Sequence, residues 1–153
     1  MALCMLLERL RYGEGWYENM NVLVLIVACI SLLSLIAHSF IGTKETAAII
    51  PSRSDSESEE SGKLVQYWRQ SMCAFQMLTV DLFLMTIVLF TISLTDIISF
   101  ERELTLFLSL VFLLWGLAWL VQLFFLKTEA KTYLALFQWA FWFICSALLF
   151  WGA

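Results

Sequence analysis

Charge is what this sequence has least of. Lys, Arg, Asp and Glu make up 14% of its 153 residues, while 61% are hydrophobic. A soluble domain of this length keeps most of its residues near water and needs far more polar surface. Histidine and proline occur once each. With one His, no Cys-x-x-Cys pair, no Gly-rich phosphate loop and no Ser/His/acid set, the residue types that enzymes combine are missing. Cys4, Cys29, Cys73 and Cys145 are widely spaced and read as small packing residues, not as a disulfide or metal framework. No run alternates with period two, which excludes a membrane β-barrel, and no internal repeat is present. Neither a cofactor nor a nucleic-acid partner is expected.

What is present is long apolar runs. Four segments, residues 22–41, 72–95, 104–126 and 133–151, are each long enough to cross a hydrocarbon core of about 30 Å at 1.5 Å per residue, the fourth only just. In lipid every backbone group has to be satisfied within the segment, so these runs are helices. The expected fold is all-α, a four-helix transmembrane bundle with the lipid bilayer as its first partner. Connections at 96–103 and 127–132 are short and make the last three helices antiparallel neighbours. Residues 1–21 are expected to form an interfacial segment. Glu8, Arg9 and Arg11 follow the apolar start instead of preceding it, which reverses the layout of a secretory signal, so the first span is expected to direct insertion.

The first loop, residues 42–71, differs from the rest. Its centre, Ser52-Arg53-Ser54-Asp55-Ser56-Glu57-Ser58-Glu59-Glu60-Ser61, is acidic and nearly free of apolar side chains, and is expected to be disordered. Ser54 and Ser56 each have an acidic residue three positions on, Glu57 and Glu59, the spacing that acidophilic kinases favour; both are candidate phosphorylation sites. Residues 63–70 read as an interfacial helical lead-in, with Tyr67, Trp68 and Arg69 suited to the headgroups. Upstream, Glu45 stands three positions before Ile49 and Ile50 in a pattern that resembles an acidic dileucine sorting signal. The resemblance implies a cytosolic loop and traffic towards endosomes or lysosomes.

Several polar groups interrupt the apolar runs. Asp81 lies nine residues inside the second span, about 13 Å from its start. A carboxylate at that depth costs several kcal/mol unless it is neutral, paired or wetted. Its helical neighbours, Ala74, Met77, Leu78, Leu84, Met85 and Val88, offer no compensation. His38, Gln76, Gln122 and Gln138 come from different spans and fall within about one turn of the same depth, below the face shared by the first and third loops. Ser31 and Ser34 continue the stripe of His38 towards the level of Asp81. These seven residues are the candidate intramembrane polar site, either a vestibule floored by Asp81 or hydrogen-bonding glue between helices. A second stripe, Gln76, Thr79, Thr86 and Ser93, lies nearly opposite Asp81 on the same helix. Trp115, Trp119, Trp139, Trp142 and Trp151 read as packing or lipid-facing aromatics.

Two functional classes remain. The first is a non-catalytic accessory or scaffold subunit for other membrane proteins, with a phosphorylatable cytosolic loop and an endomembrane location. The second is a small transporter or channel component built on Asp81 and the polar layer. Small four-helix membrane enzymes are comparable in length, but the Cys-x-x-Cys of quinone-linked thiol oxidoreductases is absent.

Orientation follows from the basic residues. Lys44, Arg53, Lys63, Arg69, Lys127 and Lys131 lie in the first and third loops, and Arg9, Arg11 and Arg102 lie on the other side. Six against three predicts loops one and three in the cytosol and both termini in the lumen or outside the cell. In sealed microsomes, protease added outside is expected to cut the acidic loop; a loop protected inside the vesicle refutes this orientation.

Overall fold

The computed structural model describes residues 21–49, 51, 59–127 and 129–153. The expected interfacial segment lies outside them except for Asn21, as do Ile50 and residues 52–58 of the acidic loop. Among the described residues the secondary structure is entirely helical. The elements are α1 (Val22–Ala37), a π-helical turn (His38–Gly42), α2 (Thr43–Ala48), α3 (Glu59–Leu94), α4 (Glu101–Phe125), α5 (Ala130–Ala135) and α6 (Gln138–Gly152).

Three continuous helices are long and apolar enough to cross a membrane: Val22–Ala48, Gly62–Leu94 and Glu101–Phe125. α6 is apolar but shorter. Its 15 residues rise about 22 Å, less than the hydrocarbon thickness of about 30 Å. The run expected to form one helix over 133–151 is broken at Leu136 and Phe137, where ψ swings to 55° and 12°. The break contains neither proline nor glycine. The Trp139 indole N–H donates to the Tyr133 carbonyl at 3.0 Å and satisfies a backbone acceptor beside the break.

Two other boundaries differ from expectation. The first helix continues past residue 41 to Ala48 through the π turn, and α3 begins at Glu59 instead of 72. No proline or other breaker separates the polar lead-in from the second span, so one helix runs through both. α4 carries Glu101 and Glu103 in its first turn, where carboxylates complement the helix dipole. It ends at Phe125 with Leu126 as its cap, and Lys127 just beyond has a left-handed φ of 51°. Glycine or asparagine usually fills that position. Here the lysine places its cation at the negative end of the helix.

The described chain divides into two compact units, one made of residues up to Val27 with Leu89–Ala153, the other of Ala28–Val88. In the first, α4 packs on α6. The buried residues of α4 include Thr105, Leu108, Ser109, Phe112 and Gly116, and those of α6 are Trp142, Cys145, Ser146 and Leu149. Both sets repeat at three and four residues, one stripe per helix. Lipid offers no hydrophobic force to press helices together, so close approach has to come from small residues and interhelical hydrogen bonds. Both are present. The Ser109 hydroxyl donates to the Ser146 carbonyl and the Ser146 hydroxyl to the Ser109 carbonyl, each at 2.8 Å. At Gly116 an added Cβ would sit 3.0 Å from the Phe143 ring, so the glycine admits that ring against the α4 backbone. Phe112 and Trp115 reach Trp142 at centroid distances of 5.5 and 5.0 Å, in tilted and edge-on geometries that suit their quadrupoles.

Asn21 ties the start of α1 into this unit. Its side-chain oxygen accepts from Val24 N–H at 3.2 Å, a helix N-cap, and its amide donates to the Gly152 carbonyl at the end of α6.

The reciprocal serine bonds generate a prediction. Ser109→Ala and Ser146→Ala are each expected to cost about 1 kcal/mol in an SDS-unfolding titration, with the double variant costing clearly less than the sum. Strict additivity would show that the two hydroxyls do not act as one clamp.

Candidate functional site

The second unit holds most of the polar residues singled out in the sequence, and they cluster where the π turn meets α3. A π turn accommodates one residue more than an α-helix and recurs at functional positions. The widened turn leaves the His38 carbonyl accepting both the backbone N–H and, at 3.4 Å, the hydroxyl of Thr43. Gln76 of α3 donates through Nε2 to the same Thr43 oxygen at 3.3 Å. One turn away, His38 Nε2–H donates to the Phe75 carbonyl at 3.3 Å while its ring stacks on the Phe75 ring, centroids 3.8 Å apart and planes within 16°. Because a carbonyl oxygen only accepts, the Nε2 of this ring carries a hydrogen in the contact. Gly42 makes the fit possible, since a Cβ there would lie 2.9 Å from Phe75 Cζ. Farther out, the Trp68 indole N–H donates to the Thr46 carbonyl at 3.3 Å. The result is a zipper joining the π turn and α2 to α3.

His38 and Gln76 are thus brought into one network. Gln122 and Gln138 belong to the other unit and are exposed there. Ser31 is fully buried and its hydroxyl has no hydrogen-bond partner, while Ser34 is half-buried. The stripe of hydroxyls on α3 bonds to its own helix: Thr79 to the Phe75 carbonyl at 3.2 Å, Thr86 to Leu82 at 2.7 Å and Ser93 to Phe90 at 3.3 Å. Of that stripe, Gln76 is the member whose side chain reaches another element. Glu45 is exposed on α2, and Ile49, 74% exposed, ends that helix; Ile50, Ser54 and Ser56 lie outside the described residues.

Asp81 stands apart from this network. It is exposed, in the middle of the Gly62–Leu94 stretch. Its surroundings there are apolar: Met77 is 69% exposed, Val80 56% and Leu84 52%. It lies six residues beyond Phe75, about 9 Å further along the helix, beyond the reach of the His38 ring that is bonded at Phe75.

Phe75, Gly42, Trp68 and Thr46 were not among the candidate residues. The available signal was Gly42 at the end of an apolar run, where glycine often marks close approach of another chain segment. Phe75 was indistinguishable from the other phenylalanines, because no spacing rule predicts a ring stacked on a histidine from another helix.

These features define an all-helical, multi-pass membrane protein with a polar zipper at one end of its first helix pair and an exposed carboxylate within the apolar part of α3. No protein-family model, curated protein or solved structure matches the chain.

Phe75→Ala removes the ring that covers both Gly42 and His38. Hydrogen exchange of the amides of residues 43–48 is expected to rise about tenfold in this variant and to stay near wild type in Phe75→Tyr. Unchanged protection in Phe75→Ala would show that the stacking does not hold α2 in place.

Proposed function

We propose that the chain is a non-catalytic accessory or scaffold subunit of other membrane proteins. In this reading it spans the membrane four times, α5 and α6 together making the last crossing, and resides in endomembranes. The first loop faces the cytosol, is phosphorylated at Ser54 and Ser56, and uses Glu45, Ile49 and Ile50 as its sorting signal. The observation that carries the reading is the exposure of Asp81 within the apolar length of α3. A carboxylate is tolerated at that depth when something covers it, and intramembrane acids mark functional contacts. A transport or channel role places the acid on an internal pathway lined by polar groups. Here Met77, Val80 and Leu84 flank it on an outward face, which favours an external partner over an internal route.

Two further observations support the subunit role. Between 22 and 28% of the apolar window in each of the three long helices is buried within the chain, which leaves broad faces available. Glu45, on the short helix after the π turn, and Ile49, just past its end, are two elements of the sorting-like motif and both are exposed.

Quantitative cross-linking and co-purification from native membranes tests the proposal. Asp81→Asn is expected to reduce recovery of a stoichiometric membrane partner by about tenfold while abundance and assembly of the chain itself are kept. Full partner recovery combined with loss of an ion-dependent flux would replace the subunit role by the transport role.

A further inference from the structure

The outward face of α3 carries information about what covers it. Within about 120° of arc, Cys73, Ala74, Met77, Val80, Asp81 and Leu84 form a strip about 17 Å long, and the unit to which they belong leaves Met77, Val80, Asp81 and Leu84 exposed. The strip is apolar apart from one carboxylate. Aspartate has too short a side chain to reach the headgroups from mid-helix, as lysine or arginine does by extending its stem.

No compensating charge lies within the apolar runs of this chain. Its nine Lys and Arg residues are Arg9, Arg11, Lys44, Arg53, Lys63, Arg69, Arg102, Lys127 and Lys131, and all fall outside the apolar runs 22–41, 72–95, 104–126 and 133–151. The remaining base, His38, lies near a helix end and is bonded to Phe75. A second copy of the chain brings the same deficit, since a symmetric contact through this strip would set Asp81 against Asp81.

We infer that the strip Cys73–Leu84 is the docking face for one transmembrane helix of a different protein, which carries a Lys or Arg at mid-bilayer depth and pairs it with Asp81. The inference rests on the subunit reading above and names the chemistry of the partner. Lipid does not compete well for such a pair, because each ion alone in hydrocarbon is costly and the two together relieve each other. The small side chains of Cys73 and Ala74, both about two turns before Asp81, let the partner backbone approach at that end. The exposed Met77 and Leu84 flank the carboxylate on the same strip and would exclude water around the pair. In each protein the unpaired charge penalises the separated state, so the pairing selects its partner as well as binding it.

The test uses the full chain in phosphatidylcholine vesicles with dansyl-labelled 25-residue poly-Leu/Ala transmembrane peptides. Their central residue is Lys, Leu or Asp, and energy transfer from the native tryptophans reports association. The Lys peptide is expected to bind about tenfold more tightly than the Leu peptide and the Asp peptide no better than Leu. Asp81→Asn is expected to abolish the Lys preference without altering the fold. Met77→Trp, which adds bulk to an exposed position, is expected to weaken Lys-peptide binding several-fold. Equal binding of Lys and Leu peptides overturns the inference, as does a Lys preference that persists in Asp81→Asn. Self-association of the chain that Asp81→Leu removes, with no Lys preference, assigns the strip to a second copy and also overturns it. A native partner lost in Asp81→Asn without a Lys preference removes the basic helix and keeps the subunit role. A Lys preference without any Asp81-dependent native partner does the reverse.

Discussion

A backbone that enters hydrocarbon has no water to bond to, and almost every feature of this molecule can be traced to that condition. It turns the apolar runs into helices and leaves side chains to do what main chain cannot. The hydroxyls show it most directly. Thr79, Thr86, Thr95 and Thr105 all donate to the carbonyl four residues back, so their polarity is absorbed within their own helix. Other side chains join elements: Ser109 with Ser146, Asn21 with Gly152, Gln76 with Thr43, His38 with Phe75 and Trp68 with Thr46. The same condition makes Asp81 conspicuous, because its carboxyl group is exposed among the apolar side chains of Met77, Val80 and Leu84.

The two compact units achieve cohesion by different means. In the unit containing α4 and α6, contact is made through small residues and aromatic rings in mid-helix, with Gly116 admitting Phe143 and Trp142 meeting Phe112 and Trp115. In the other, the hydrogen bonds of His38, Trp68 and Gln76 between elements gather at one end, where the π turn and α2 meet α3. A polar zipper at a helix end lies where interfacial water can reach it. A serine clamp inside the apolar length has no such substitute, and its breakage leaves two backbone carbonyls short of a donor.

The apolar runs were legible because lipid imposes a minimum length on them, and the helical class followed from the same constraint. Boundaries were less so. Residues 59–71 are polar enough to read as a loop with an interfacial end, yet nothing in them stops a helix, and a helix once started propagates through indifferent sequence. The break at Leu136 and Phe137 had the opposite problem: neither residue is a helix breaker, and the Trp139 indole that bonds the Tyr133 carbonyl beside the break has no signature in the local sequence. Of the candidate polar residues, depth could be counted along the sequence, whereas direction could not. Helical phase placed Asp81 opposite the Thr79 stripe, but which of the two sides faces protein depends on packing that no local pattern encodes.

The π turn at His38–Gly42 is one residue more than an α-helix would use over the same rise. Deleting one residue inside the turn, Ser39 or Phe40 for instance, would restore the α-helical ladder and leave Thr43 and Thr46 at nearly the same rise and phase towards Gln76 and Trp68. Deleting one residue from the regular helix before it would instead swing everything beyond by about 100° and turn Thr43 and Thr46 away from those partners, although every contacting residue would still be present. The π turn is therefore where this helix best tolerates a change of length.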